Sequence, residues 1–229
     1  MPSRTKLERL YHRAVEYPDP SQRFQALRIA FAATEDAIAH QAAQHQVRAK
    51  ADLRRRGMHP DDVEMELHVL HTTTKELFPR IFRGGFLVSL WALFESGIKD
   101  LGEYTRRQLK LPFGLQELRA GDFLDQSEKY FRGTLDIQAF PDKSIRKQIE
   151  LLKGFRNAIA HHDGNLDEVP NALLQEPSGV LQKFSDLHHE FAMPTAEYNS
   201  KSLELLACTS SALANAIYAK LHPKDGDAS

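Results

Sequence analysis

What the 229-residue chain has little of narrows its class first. It holds one cysteine, Cys208, so no intramolecular disulfide can form and nothing suggests an oxidising compartment. No run of about 18 apolar residues occurs, so no membrane span is expected. The first ten residues, Met1 to Leu10, are charged and carry no apolar stretch that would serve as a signal peptide. The expected location is the cytoplasm. Charge of one sign is also missing: 30 Lys and Arg against 31 Asp and Glu give a net charge of -1. No global field attracts nucleic acid, and any such contact has to come from a local patch. There is no His-Glu-x-x-His, no phosphate-binding loop, no dinucleotide fingerprint and no internal repeat.

What is there is ordinary globular composition, 41% hydrophobic and 27% charged. A chain of this length buries about 70% of its unfolded surface and needs no metal or disulfide to fold. Helical periodicity dominates, with no convincing strand or hairpin signal. A short helix fits 4–16. A longer one starts after Pro18-Asp19-Pro20-Ser21, with Ser21 as the expected cap, and ends before Gly57. The next lines up Val63, Leu67, Leu70 and Leu77 and is expected to stop at Pro79. Leu87, Trp91, Phe94, Ile98 and Leu101 then form a single stripe on a helix over 80–111. A shorter helix spans 123–131, and Asp142 caps another over 142–162. The stretch 163–177 reads as a loop. Val180, Phe184, Leu187 and Phe191 predict a helical stripe, and Leu203 to Leu221 the last helix. The fold class is all-α: an antiparallel bundle over 80–222, a helical extension over 1–79, and a disordered tail over 223–229.

The informative stretch is Gly154-Phe155-Arg156-Asn157-Ala158-Ile159-Ala160-His161-His162-Asp163-Gly164. At about 100° per residue, Ile145, Ile149, Leu152 and Ile159 share one side and Arg156 falls among them. An arginine there is costly to bury unless paired. Glu95, four residues after Trp91, is the expected partner, in a structural ion pair rather than a catalytic role. Asn157 and His161, four apart, share a neighbouring face. The chemistry follows from residue type. Attack of an RNA 2′-OH on its own phosphate needs a base, which histidine supplies near neutral pH. It also needs a fixed cation against the growing charge, which an arginine fork supplies. Asn157 would orient the histidine or hold a phosphate oxygen. The bland alternative is an Arg156 paired with a buried acid and a His161 that serves only the helix C-terminus.

Arg156-Asn157, three residues, then His161 near a helix end resembles the motif of the HEPN superfamily (higher eukaryotes and prokaryotes nucleotide-binding), over roughly residues 80–222. The resemblance implies a helical up-and-down bundle that dimerises, bringing two motifs to one cleft. It implies a metal-independent ribonuclease, with no cofactor, of the kind found in toxin–antitoxin, phage-defence and RNA-processing systems. Other members of the family keep the fold without known catalysis. That leaves a non-catalytic scaffold or RNA-binding module as the alternative, held by a nucleotidyltransferase-type antitoxin partner. By the resemblance, Arg156, Asn157 and His161 are the catalytic candidates and RNA the substrate.

Other signals are weaker. His162-Asp163 lacks the upstream histidine that a helical phosphohydrolase needs, since 72–160 contain none. His188-His189-Glu190 point about 100° apart on a helix and cannot readily share a metal. Cys208 is expected as a small core residue between Leu206 and Leu213. Arg48, Lys50, Arg54, Arg55 and Arg56 form the one basic cluster. A helix C-terminus accounts for it; the alternative is an RNA-backbone contact by Arg54, Arg55 and Arg56.

Overall fold

A computed structural model describes residues 17–119, 121–175, 180–185 and 190–223, without the side chains of Gln46, Arg54 and Ser185. The expected helix over 4–16, His188 and His189, and residues 224–229 of the expected tail lie outside the described residues. What is described is mostly helical: α1 (Ser21–Arg56), α2 (Pro60–Thr72), a π-helical turn (Thr73–Leu77), α3 (Phe78–Leu109), α4 (Phe123–Leu135), α5 (Lys143–His162), α6 (Asn171–Leu174) and α7 (Ala196–Leu221). One antiparallel pair of strands, β1 (Leu181–Ser185) and β2 (Glu190–Pro194), interrupts them.

Three expectations are corrected. The helix expected through Val180–Phe191 is a hairpin, with Phe184 paired to Phe191 and Gln182 to Met193. Seven residues separate the two phenylalanines. That spacing suits two helical turns and equally suits a cross-strand pair around a short loop. Their rings stack at 5.6 Å. Pro79 ends no helix. It lies inside a continuous helical run, directly after the π turn, whose wider winding accommodates a residue that has no N–H to donate. The chain therefore runs helical from Pro60 to Leu109, long and apolar enough by length and composition to cross a membrane, with 39% of its apolar window buried. Ser21 is already helical rather than a cap; Pro20 O receives the first helical bonds, and Asp19 Oδ1 accepts from the Ser21 N–H at 2.9 Å. By contrast Asp142 does cap α5, accepting from Ser144 N–H at 2.7 Å.

The chain forms two compact units, interleaved along the sequence, and none of their boundaries falls at residue 79. Among the described residues, unit 1 holds 17–25, Leu90–Leu152 and 202–223; unit 2 holds Ala26–Ser89 and Lys153–Lys201. In unit 1, Trp91, Phe94, Ile98 and Leu101 are buried as their spacing predicts, and Phe94 meets the Phe123 ring edge-on at 6.4 Å. Tyr17 sits between the rings of Tyr104 and Tyr218, each 5.0 Å away, and donates to Ala214 O. Cys208 is exposed, because it lies about 200° round the helix from buried Leu206. In unit 2, Phe31 of α1 packs on Phe82 and Phe86 of α3. A two-pronged ion pair, Arg83 to Glu35 at 2.8 Å, joins the same two helices.

Candidate functional site

The site is built on the C-terminal half of α5, within unit 2. The buried side of α5 turns there from Leu152 towards Phe155 and Ala158. Arg156 and Ile159 are left half-buried at its edge. This changes the expectation for Arg156: it is not sealed in the core. Its Nη1 donates to Asn157 Oδ1 at 2.9 Å, and no carboxylate among the described residues pairs with it. Its Nε is buried without a partner among the described residues. Glu95, expected as the counter-charge, uses its oxygens within its own helix, accepting from Trp91 Nε1 at 3.2 Å and Lys99 Nζ at 2.5 Å.

His161 lies on the last turn of α5 and is exposed. Its ring centroid is 6.4 Å from that of the equally exposed His162. Arg156 and His161 are five residues apart, so they diverge by about 140° around the helix axis and by about 7.5 Å along it. One copy of α5 therefore does not aim both at the same atom, while Asn157 and His161 share a face.

The helix end that carries His161 is fixed by backbone geometry. Asp163 adopts φ +50° and Gly164 φ +76°, and the Gly164 N–H reaches back to Ala158 O at 3.0 Å. This satisfies a carbonyl that would otherwise be orphaned at the helix end. A Cβ at Gly164 would stand 2.5 Å from Ala192 O, and Gly164 O accepts from Ala192 N–H at 2.8 Å. The hairpin thus ties down the end of the motif helix.

Arg80 completes this corner, and sequence reasoning missed it. Its Nη2 donates to Asp163 O at 3.1 Å and Oδ2 at 2.5 Å, while its guanidinium lies 3.5 Å over the Phe191 ring. A cleft of about 180 Å³ opens beside it, walled by Arg80, Ile81, Gly85, Ile159, Asp163 and Met193. The available signal was Gly84-Gly85 inside a helical pattern, which marks a close approach. A Cβ at Gly84 would meet Ile159 Cγ2 at 3.1 Å.

Of the basic cluster, Arg48, Lys50, Arg55 and Arg56 are exposed at the C-terminal end of α1, where Arg56 pairs with Asp52 at 2.6 Å. The Arg54 side chain lies outside the described residues. Among the described residues, no three His, Cys, Asp or Glu side chains come together as a metal site would require. Compared with known proteins, the chain matches no family model, no curated protein and no solved structure.

Proposed function

We propose that this chain is a HEPN-like, metal-independent endoribonuclease of the cytoplasm, acting as a toxin or phage-defence effector. Arg156 and His161 would work in a cleft formed by a homodimer. The observation that carries the reading is the state of Arg156. Its guanidinium is half-buried, steadied by Asn157 and paired with no carboxylate among the described residues. A structural arginine at the edge of a core would be expected to hold a carboxylate. The divergence of Arg156 and His161 around α5 supports a site completed by a second copy, whose histidine would face the first copy's arginine.

In such a cleft His161 takes the proton of a ribose 2′-OH, whose oxygen attacks the adjacent phosphorus. The free N–H groups of Arg156 hold the non-bridging oxygens as charge builds on them. The P–O5′ bond breaks, the proton taken by His161 is returned through water to the leaving 5′ oxygen, and a 2′,3′-cyclic phosphate remains. Arg54, Arg55 and Arg56 would hold RNA backbone away from the reacting phosphate. A non-catalytic scaffold or RNA-binding module, paired with an antitoxin, is the second reading. It is favoured by one observation: His161 has no hydrogen-bond partner among the described residues to fix its ring, and a catalytic histidine usually has one.

The test is cleavage of a mixed RNA in EDTA. Products ending in a 2′,3′-cyclic phosphate are expected, and a 2′-deoxy substitution at the cut site blocks the reaction. His161→Ala lowers the rate about a hundredfold or more with an unchanged melting curve, and His162→Ala has the smaller effect. Cleavage that survives His161→Ala, or that EDTA abolishes, refutes the assignment.

A further inference from the structure

The cleft beside Asp163 carries two charged groups whose hydrogen bonding the fold leaves half-used. Asp163 gives Oδ2 to Arg80, and its Oδ1 accepts no hydrogen bond among the described residues. Arg80 uses Nη2 on that oxygen and on Asp163 O, which leaves Nε and Nη1 without an acceptor among the described residues. Both groups are held in place. The Phe191 ring lies 3.5 Å from the guanidinium carbon, and Asp163 stands at φ +50° in the turn that closes α5. A carboxylate oxygen and spare N–H groups therefore stand side by side in one wall of the cleft.

The remaining walls are apolar, with Ile81, Ile159 and Met193 among them. At about 180 Å³ the cleft is smaller than the about 300–1,000 Å³ of an ordinary ligand pocket, so it suits one ring system. Gly85 borders it and has no atom within 4 Å of where its Cβ would be. Packing calls for no glycine there, and mid-helix it weakens the helix. A side chain at 85 would fill space that the cleft keeps open. The charges then sort the ligands. An anion is repelled by Asp163 and a cation by Arg80, while a wholly apolar group strips both of water and replaces none of its hydrogen bonds. What fits is a neutral planar group with an acceptor for Arg80 beside donors for Asp163.

We infer that this cleft takes a guanine base and sets the base preference of the proposed ribonuclease; the choice of ligand rests on that RNA reading. Guanine alone among the four bases presents one acceptor and two donors in a row: O6, N1–H and the N2 amino group. O6 accepts from Arg80, both donors face the Asp163 carboxylate, and the ring lies against Ile81 and Met193. Adenine, cytosine and uracil each bring a single donor to that carboxylate along the same edge. A donor lost against a charged acceptor matters more than one lost against a neutral oxygen. Proteins read single-stranded RNA in this manner, through the edges of bases splayed off the strand. Asp163 follows His161 by two residues, so the base that is read belongs to a nucleotide beside the cut.

Titration of the full chain with 5′-GMP, 5′-IMP and 5′-AMP, followed by NMR at the Gly85 and Asp163 amides, tests it without any cleavage. The three share a phosphate, so their differences report the base. GMP should bind about tenfold more tightly than AMP, with IMP, which lacks the N2 amino group, between them. Asp163→Asn should remove most of that preference, and asparagine tolerates the left-handed turn, so the fold is kept. Gly85→Leu should weaken all three about tenfold or more, with a melting temperature unchanged or raised. Equal binding of the three nucleotides overturns the inference. So does a GMP preference untouched by Asp163→Asn, or GMP binding untouched by Gly85→Leu. With RNA as substrate, the unaltered chain should cut beside guanosine and Asp163→Asn should cut without that preference. GMP preference in a chain that cuts no RNA leaves the cleft standing and removes the nuclease. Cleavage that depends on His161 but is indifferent to base, in a chain that does not prefer GMP, does the reverse.

Discussion

Unit 1 and unit 2 finish their surfaces differently. Among the described residues, unit 1 exposes two large apolar side chains, Leu109 and Phe113, at 39% and 40%. Unit 2 exposes Ile29, Val47, Met65, Val69, Leu77, Phe78 and Ile81, at up to 70%. The charges differ too. In unit 1 the half-buried Arg146 holds both Asp125 and Glu150, and Glu95 is bonded on both oxygens. In unit 2 the half-buried Arg156 holds, among the described residues, an amide oxygen and no carboxylate. The lesson is that helical content alone does not separate scaffold from site. Unit 1 is not fully closed: it leaves Ser210 Oγ buried without a partner among the described residues and an apolar cleft of about 470 Å³ between Ala139, Ile145, Leu205 and Leu213. What separates unit 2 is a half-buried cation that pairs with no carboxylate and the larger share of exposed apolar side chains, both among the described residues.

That contrast can be broken at three places, in falling order of effect. Gly164→Ala in unit 2 should cost about 2 kcal/mol or more. The alanine would have to hold a left-handed φ while its methyl met Ala192 O. Urea denaturation measures the loss, and an unchanged midpoint would mean that the hairpin does not anchor the helix end.

Unit 1 is probed by alkali. Burial pushes the Tyr130 hydroxyl up to about 12, helped by the nearby Glu103 charge, and this hydroxyl donates to Gly102 O at 3.1 Å. In the unfolded chain it titrates near about 10. The folded state therefore keeps a proton that the unfolded state loses. The stabilisation is complete below about pH 10 and is lost as pH rises through about 12. Stability should fall across that window by an amount on the order of 2 kcal/mol, and Tyr130→Phe should flatten the fall. Tyrosinate absorbance, one residue titrating late, checks the assignment.

The smallest effect belongs to Arg156. Since Arg156 pairs with no carboxylate among the described residues, Arg156→Ala should change stability by less than about 1 kcal/mol, the residue losing only its packed stem. Thermal unfolding that drops by several kcal/mol would reveal a buried counter-charge and make Arg156 part of the scaffold.

Helical class, most of the helices and the apolar stripe through Trp91, Phe94, Ile98 and Leu101 were legible in the sequence. Period 3.6 over many residues has few alternatives, and the cap at Asp142 is a local signal. Arg156, Asn157 and His161 could likewise be placed on one helix near its end from spacing alone. The hairpin could not be read: Phe184 and Phe191 satisfy helix and strand pairing alike, and the choice rests on Ala192 bonding to Gly164, 28 positions earlier. Nor could the exposure of Arg156, because the buried side of α5 turns towards Phe155 and Ala158 only when the rest of unit 2 packs on it. Arg80 reaches Asp163 across 83 positions, a pairing that no local pattern encodes. The sequence by itself determined which residues form helices and which could carry chemistry. Tertiary structure decided which of those residues meet a partner and which stay open, since hydrogen bonds along a helix are local and those between elements are not.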